Sequence, residues 1–157
     1  MNDMPRGTDP TRKFAAAGFI TALVGLADAA YLTSKHLAGT AVPCNLVSGC
    51  ETVLNSTWAE FYGLPTALYG AIAYFAAFAL AFLVFSGNKS LWKAFGLLSS
   101  VMFVFSVYLI YLQAWVIKAF CQYCLVSAGT STILFLIFLL SLCFAGNKQS
   151  SDTTPEN

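Results

Sequence analysis

Two pairs of cysteines carry the chemistry available to this sequence: Cys44 and Cys50 in a loop, and Cys121 and Cys124 as a C-x-x-C. A dithiol passes an electron pair when its thiolate attacks a disulfide, so two pairs within reach of each other form a relay. In Cys121-Gln122-Tyr123-Cys124 the first thiol falls where a helix should begin, beside unpaired amides and the positive dipole end. That environment lowers a thiol's pKa and stabilises the attacking thiolate. Lys118 just upstream adds positive charge. A structural disulfide and half a zinc site are the competing readings. Zinc needs about four ligands, and the one histidine, His36, would have to serve with distant thiols. No metal is expected.

Cys44 and Cys50 sit in a stretch containing Gly39, Pro43 and Gly49, placed to close a small exposed ring. So small a ring gains little loop-closure entropy, which makes stabilisation alone a weak rationale. An exposed disulfide is also open to a soluble dithiol protein, and beside a C-x-x-C the redox reading gains weight. Cys143 lies deep in an apolar run, away from any partner, and such a cysteine behaves as a small apolar residue.

The elements that position these thiols must be membrane helices. The chain has 157 residues, 58% hydrophobic and only 10% charged, which marks an integral membrane protein. The net charge of +1 comes with no basic patch, so nucleic acid is excluded as a partner and membrane lipid is expected. Four apolar runs reach the roughly 20 residues a bilayer requires: Phe14 to Ser34, Pro65 to Ser86, Trp92 to Val116 and Gln122 to Ala145. Each must be helical, because a segment in lipid has to satisfy its own backbone. The expected fold is an all-α, four-transmembrane-helix bundle with an interfacial half-helix in its outer loop. The first run is too long for a signal-peptide core and is expected to stay in the mature protein. Residues 1–13 and 146–157 read as cytoplasmic tails, the latter disordered, around one membrane domain at 14–145.

Orientation follows from the cations. Arg6, Arg12, Lys13, Lys89, Lys93 and Lys148 gather on one side, Lys35 and Lys118 on the other. Both termini are therefore expected in the cytoplasm, in a cytoplasmic (inner) membrane, with all four paired cysteines at the outer face, where disulfides persist. From Cys50 onward Val53, Leu54, Trp58 and Phe61 recur at helical spacing. This predicts an amphipathic half-helix anchored by Trp58 and Tyr62 and ended by Gly63, with Pro65 in the first turn of the next span. Asp28 is the one acid within a span, and a proton route or a ligand contact stands against pairing with Lys35 or snorkelling as its role. Aromatic residues make up 15% of the chain; rings such as Tyr69, Phe75, Tyr108, Tyr111 and Trp115 serve packing or face lipid, and some could line a flat pocket.

The order of motifs resembles a known family. A loop cysteine pair leads through Ser56 and Trp58 into Gly63-Leu64-Pro65 and Tyr69-Gly70, and Cys121-x-x-Cys124 opens the last helix. This is similar to the vitamin K epoxide reductase family in its bacterial branch, over roughly Phe14 to Ala145. The resemblance implies a four-helix bundle around a quinone (menaquinone, ubiquinone or a relative), covered by the half-helix. It implies a thiol-disulfide oxidoreductase that oxidises a soluble thioredoxin-like protein and reduces membrane quinone. By this resemblance Cys44 and Cys50 are the shuttle pair, Cys121 links to it by a transient disulfide, and Cys124 faces the quinone. Ser56 matches a hydroxyl position near the active cysteines, and Trp58 and Thr66 are further candidate quinone contacts. Animal members place an asparagine and a tyrosine on the quinone carbonyls; those positions fall at Thr66 and Ala128 here. Many bacterial members carry a fused thioredoxin-like domain, whereas here the partner is expected to act in trans. The rival class is a non-enzymatic tetraspan protein with two structural disulfides.

Overall fold

The computed structural model describes residues 10–44 and 49–149. Helix α1 spans Pro10–Leu37 and a single helical turn, α2, spans Cys50–Leu54. A two-strand hairpin follows, β1 (Glu60–Phe61) and β2 (Leu64–Pro65), and leads directly into α3 (Thr66–Phe85). A 3₁₀ turn at Lys89–Leu91 opens α4 (Trp92–Tyr111), which continues as a π-helical turn over Leu112–Ile117. Helix α5 runs Gln122–Gln149. Four stretches, Thr11–Leu37, Thr66–Phe85, Lys89–Ile117 and Gln122–Phe144, are long and apolar enough to cross a membrane, as the four apolar runs require. The tails expected at 1–13 and 146–157 lie mostly outside the described residues; Pro10 to Lys13 and residues 146–149 belong to α1 and α5.

Small residues hold the bundle together. Ala15, Ala22 and Ala29 recur every seven positions on α1 and are buried with Ala77 and Ala81 of α3. Lipid gives helices no hydrophobic reason to associate, so close backbone approach and dispersion contacts must do it. Large rings fill the remaining space. Tyr74 and Phe95 are completely enclosed, and no side chain fits at Gly25 or Gly96, because Tyr74 and Phe138 occupy those positions. Two pairs of polar side chains inside the bundle satisfy one another, as the absence of water in lipid favours. Trp92 Nε1 donates to Ser141 Oγ at 2.7 Å, and Ser106 and Ser131 share a 2.7 Å hydrogen bond. Outward-facing Ile20, Val24, Ile72, Phe75, Leu97 and Val104 form the lipid-facing surface.

The loop after α2 departs from the sequence expectation. The helix stops at Leu54, where apolar spacing predicts that it continues to Phe61. Asn55, Ser56 and Thr57 favour local hydrogen bonds over a helical backbone, and Ser56 Oγ donates to the Val53 carbonyl at 2.6 Å. The chain then reverses through Tyr62 (φ 53°) and Gly63 (φ 75°), a two-residue turn of the kind that closes tight hairpins. Glu60 faces Pro65 and Phe61 faces Leu64. Trp58, Phe61, Tyr62 and Leu64 all remain exposed, so the expected anchors sit on the turn before the hairpin (Trp58) and on the hairpin itself (Tyr62) rather than along a half-helix. Pro65 stands just before the first residue of α3 rather than within its first turn.

Candidate active site

All four paired cysteines meet at one end of the bundle. Cys50, Val53 and Cys121 form a buried cluster, with Cys44, Ile117, Ala119, Tyr123 and Cys124 packed around it. Cys44 and Cys50 form a disulfide with a Cα–Cα separation of 6.2 Å; residues 45–48 between them lie outside the described residues. The pair is asymmetric. Cys50 opens α2 and is 1% exposed, whereas Cys44 is half-buried.

Gly49 brings α2 onto the C-x-x-C. A side-chain carbon there would lie 2.7 Å from the Phe120 carbonyl oxygen and 3.0 Å from Ala119 Cβ. Its φ of −103° is open to any residue, so glycine is present for space rather than for backbone freedom. From the other side, the two residues inside the C-x-x-C grip the loop. Tyr123 Oη donates to the Pro43 carbonyl at 3.1 Å, and Gln122 Nε2 reaches the same oxygen at 3.5 Å.

Cys121 is positioned by a residue that sequence reading passes over. Gln113 lies in the π-helical turn, is 2% exposed, and its Oε1 accepts the Cys121 N–H at 2.9 Å. Its backbone carbonyl accepts the Ala119 N–H at 3.1 Å. A π turn holds one residue more than an α turn and often marks a functional site. Here it and left-handed Lys118 (φ 55°) redirect the chain into α5. The available signal is one amide in an apolar run eight positions before Cys121.

Cys121 and Cys124 are free thiols. Hydrogen bonding from the Cys124 thiol, helped by the backbone amides of Cys124 and Tyr123, lowers the Cys121 pKa to about 7 against the opposing effects of burial and the Asp28 charge. Thiolate just ahead of α5 is therefore favoured near neutrality, chiefly through the Cys124 side chain, with the amides of the helix start as the smaller contribution. A tilted contact of the Tyr31 and Tyr123 rings, with centroids 5.5 Å apart, ties α1 to the same turn. One turn deeper, Tyr74 Oη donates to the Ser127 carbonyl and lies 2.7 Å from Thr130 Oγ1. This locks α5 against α3.

The remaining candidates take other places. Ser56 lines an open polar cleft of about 760 Å³ with Lys35, His36, Glu51 and Glu60. Thr66 Oγ1 donates to the Trp58 carbonyl at 3.2 Å, clasping the hairpin to the start of α3. His36 Nε2 and Glu60 Oε1 lie 3.1 Å apart and tie the hairpin to the end of α1. Lys35 Nζ sits 5.8 Å from the Tyr31 ring centroid, while Asp28 Oδ2 is buried without a hydrogen-bond partner. Cys143 faces outward from α5 rather than into the bundle, on the surface that meets lipid.

Comparison with known proteins agrees with this arrangement. Residues 17–139 match the family model "Vitamin K epoxide reductase family". The chain is also 30% identical over 119 residues to the thiol-disulfide oxidoreductase LTO1 of Arabidopsis thaliana, across 70% of this chain and 32% of that protein. The chain thus spans about a third of the length of the relative it matches. A four-span bundle with a loop disulfide set against a C-x-x-C, and a family match covering nearly all of it, lead to one conclusion: the chain belongs to the vitamin K epoxide reductase family.

Proposed function

We propose that this protein takes electron pairs from a thioredoxin-like protein and delivers them to a membrane quinone, so driving disulfide formation in that partner. The carrying observation is the common burial of Cys50 and Cys121, with Gly49 against Phe120 leaving no side chain between their segments.

The relay has four exchanges. A partner thiolate attacks Cys44, the more open sulfur of the loop disulfide, and frees Cys50. The partner's second thiol then resolves the mixed disulfide and leaves oxidised, so Cys44 and Cys50 become a dithiol. The Cys50 thiolate attacks Cys121 of an oxidised Cys121–Cys124 pair, releasing Cys124 as thiolate. Cys44 finally attacks Cys50, restoring the loop disulfide and leaving the C-x-x-C reduced. Each step forms one S–S bond and breaks one.

A quinone bound against Cys124 supplies a two-electron, two-proton acceptor. The residues fit such a group: Cys124 is half-buried at the membrane end of the dithiol, and Asp28 Oδ2 is a buried polar atom without a hydrogen-bond partner. Trp58 and Thr66, joined by their hydrogen bond, and Ser56 at the end of α2 are the proposed outer contacts. Ala128 offers no hydrogen bond, so recognition of the ring differs from the asparagine–tyrosine arrangement of animal members. We place the protein in a cytoplasmic membrane with both termini inside and the cysteine end outside, a reading supported by six cations on the terminal side against two.

The test is purified protein with a quinone and a reduced thioredoxin-like substrate, with quinol followed by absorbance. Loss of turnover in Cys44→Ala, Cys50→Ala, Cys121→Ala and Cys124→Ala, with a small dithiol rescuing only the loop variants, supports the relay. No wild-type turnover with several quinones, and variants that are merely less stable, would overturn it.

A further inference from the structure

The relay leaves one buried titratable group unused. Asp28 is the sole Asp or Glu within the four spans, and its Oδ2 is enclosed without a hydrogen-bond partner. A buried polar atom left unmet costs about 1–3 kcal/mol, so its presence calls for an explanation. The groups around it are well defined. On its own helix Tyr31 stands one turn toward the loop, its ring against Tyr123, with Lys35 Nζ over that ring. Just ahead of α5 the Asp28 charge acts on Cys121, where it opposes formation of the thiolate. From α3 comes Tyr74, whose ring covers Gly25 one turn below Asp28 and whose hydroxyl is already committed to Ser127 and Thr130. The nearest imidazole on α1, His36, is held by Glu60. Among the described residues, the carboxyl therefore stands one turn from the Tyr31–Tyr123 contact at the dithiol, without an ion-pair partner.

We propose that Asp28 is the proton-transfer group of the dithiol–quinone step, taking a proton released at the Cys121–Cys124 pair and passing it to a quinone oxygen. The inference rests on the relay above. Oxidation of two thiols to the Cys121–Cys124 disulfide releases two electrons and two protons, and reduction of quinone to quinol consumes both. Asp28 accepts a proton and gives it up again, so it ends unchanged. A carrier is needed because the step takes place in lipid, where water cannot supply the path, and intramembrane carboxyls serve as such relays.

The experiment compares Asp28→Asn and Asp28→Glu with wild type in three readouts. In quinol formation, the asparagine variant is expected to lose roughly 10²-fold, the lower range for a positioned acid–base group, with a flattened pH profile, and glutamate is expected to restore most of the rate. In quinone-free protein, exchange between the loop dithiol and Cys121–Cys124 is expected to stay within about twofold of wild type, because those steps move no proton to a quinone. The ultraviolet thiolate signal of Cys121 is expected at lower pH in the asparagine variant, because a charge opposing ionisation has gone. Wild-type turnover and pH profile in Asp28→Asn would overturn the proposal. So would an equal loss in the quinone-free exchange without rescue by glutamate, which marks a structural role. Absence of quinol formation by wild type itself would overturn the oxidase reading and with it the proton role. The thiolate shift would then still report whether Asp28 faces Cys121.

Discussion

Gly49 and Phe120 meet backbone to backbone, with room for no side chain: a Cβ at Gly49 would stand 2.7 Å from the Phe120 carbonyl oxygen and 2.9 Å from its nitrogen. Cys50 follows the glycine and Cys121 follows the phenylalanine, so this contact sets the distance between the two dithiols. Gly49→Ala is expected to push α2 away from the C-x-x-C. Because a misplacement of about 1 Å can cost roughly 10²-fold in a positioned reaction, transfer from the loop to Cys121 should slow by about 10- to 100-fold. Oxidation of the soluble dithiol by the loop disulfide should continue. Rapid-quench trapping of the two steps separates them, and equal slowing of both would refute this account.

The same contact fixes which loop sulfur meets the inner pair. Cys50 and Cys121 are 1% and 0% exposed within one cluster, and Cys44 lies at its edge. In a Cys44→Ala/Cys124→Ala double variant, Cys50 and Cys121 are expected to form a stable disulfide. In Cys50→Ala/Cys124→Ala, a Cys44–Cys121 bond is expected in only a minor fraction. Non-reducing peptide mapping reads both, and the reverse pattern would exchange the roles of the loop cysteines.

Gln113 offers a separate handle on Cys121. Gln113→Leu removes the acceptor of a buried N–H, which costs about 1–3 kcal/mol, and should lower thermal stability. Gln113→Glu keeps an acceptor but places a negative charge 2.9 Å from the Cys121 nitrogen. The expected result is a Cys121 thiolate titration moved to higher pH, since a nearby anion disfavours a second one. A leucine variant as stable as wild type would show that the hydrogen bond has little weight.

How much of this is legible in the sequence depends on which force fixes each part. The four spans follow from apolar length because lipid leaves the backbone no alternative, and the helical regions agree to within a few residues. The end of α2 is not legible: Val53, Leu54, Trp58 and Phe61 repeat at helical spacing, but the Tyr62-Gly63 turn and the hydroxyl of Ser56 decide the backbone there. The cysteine pairs announce themselves by spacing, and Asp28 by being an acid in lipid. Gln113 and Gly49 do not, because an amide in an apolar run and a glycine in a loop gain meaning only when a distant segment arrives. Ser56, Thr66 and Trp58 are legible as polar and aromatic residues near the thiols, yet the hydrogen bonds they make within the loop depend on the hairpin.

The last prediction concerns pH. Hydrogen bonding from the Cys124 thiol is the largest influence that brings Cys121 down to about 7. The lowered value means that thiolate accumulates as pH rises through 7: by mass action about a tenth of Cys121 is ionised one pH unit below its pKa and about nine tenths one pH unit above. Reaction of reduced Cys121 with a small disulfide reagent should rise across that window and then level. Cys124→Ala removes the donor and leaves burial and Asp28, both of which oppose ionisation, against the backbone amides alone. Its thiolate absorbance should therefore rise only at higher pH, toward the ordinary thiol range. The reaction at neutral pH should fall accordingly, by roughly fivefold if the titration midpoint rises from 7 to about 8. An unmoved midpoint in Cys124→Ala would assign the lowering to the amides at the start of α5 and leave Cys124 without a part in preparing its neighbour.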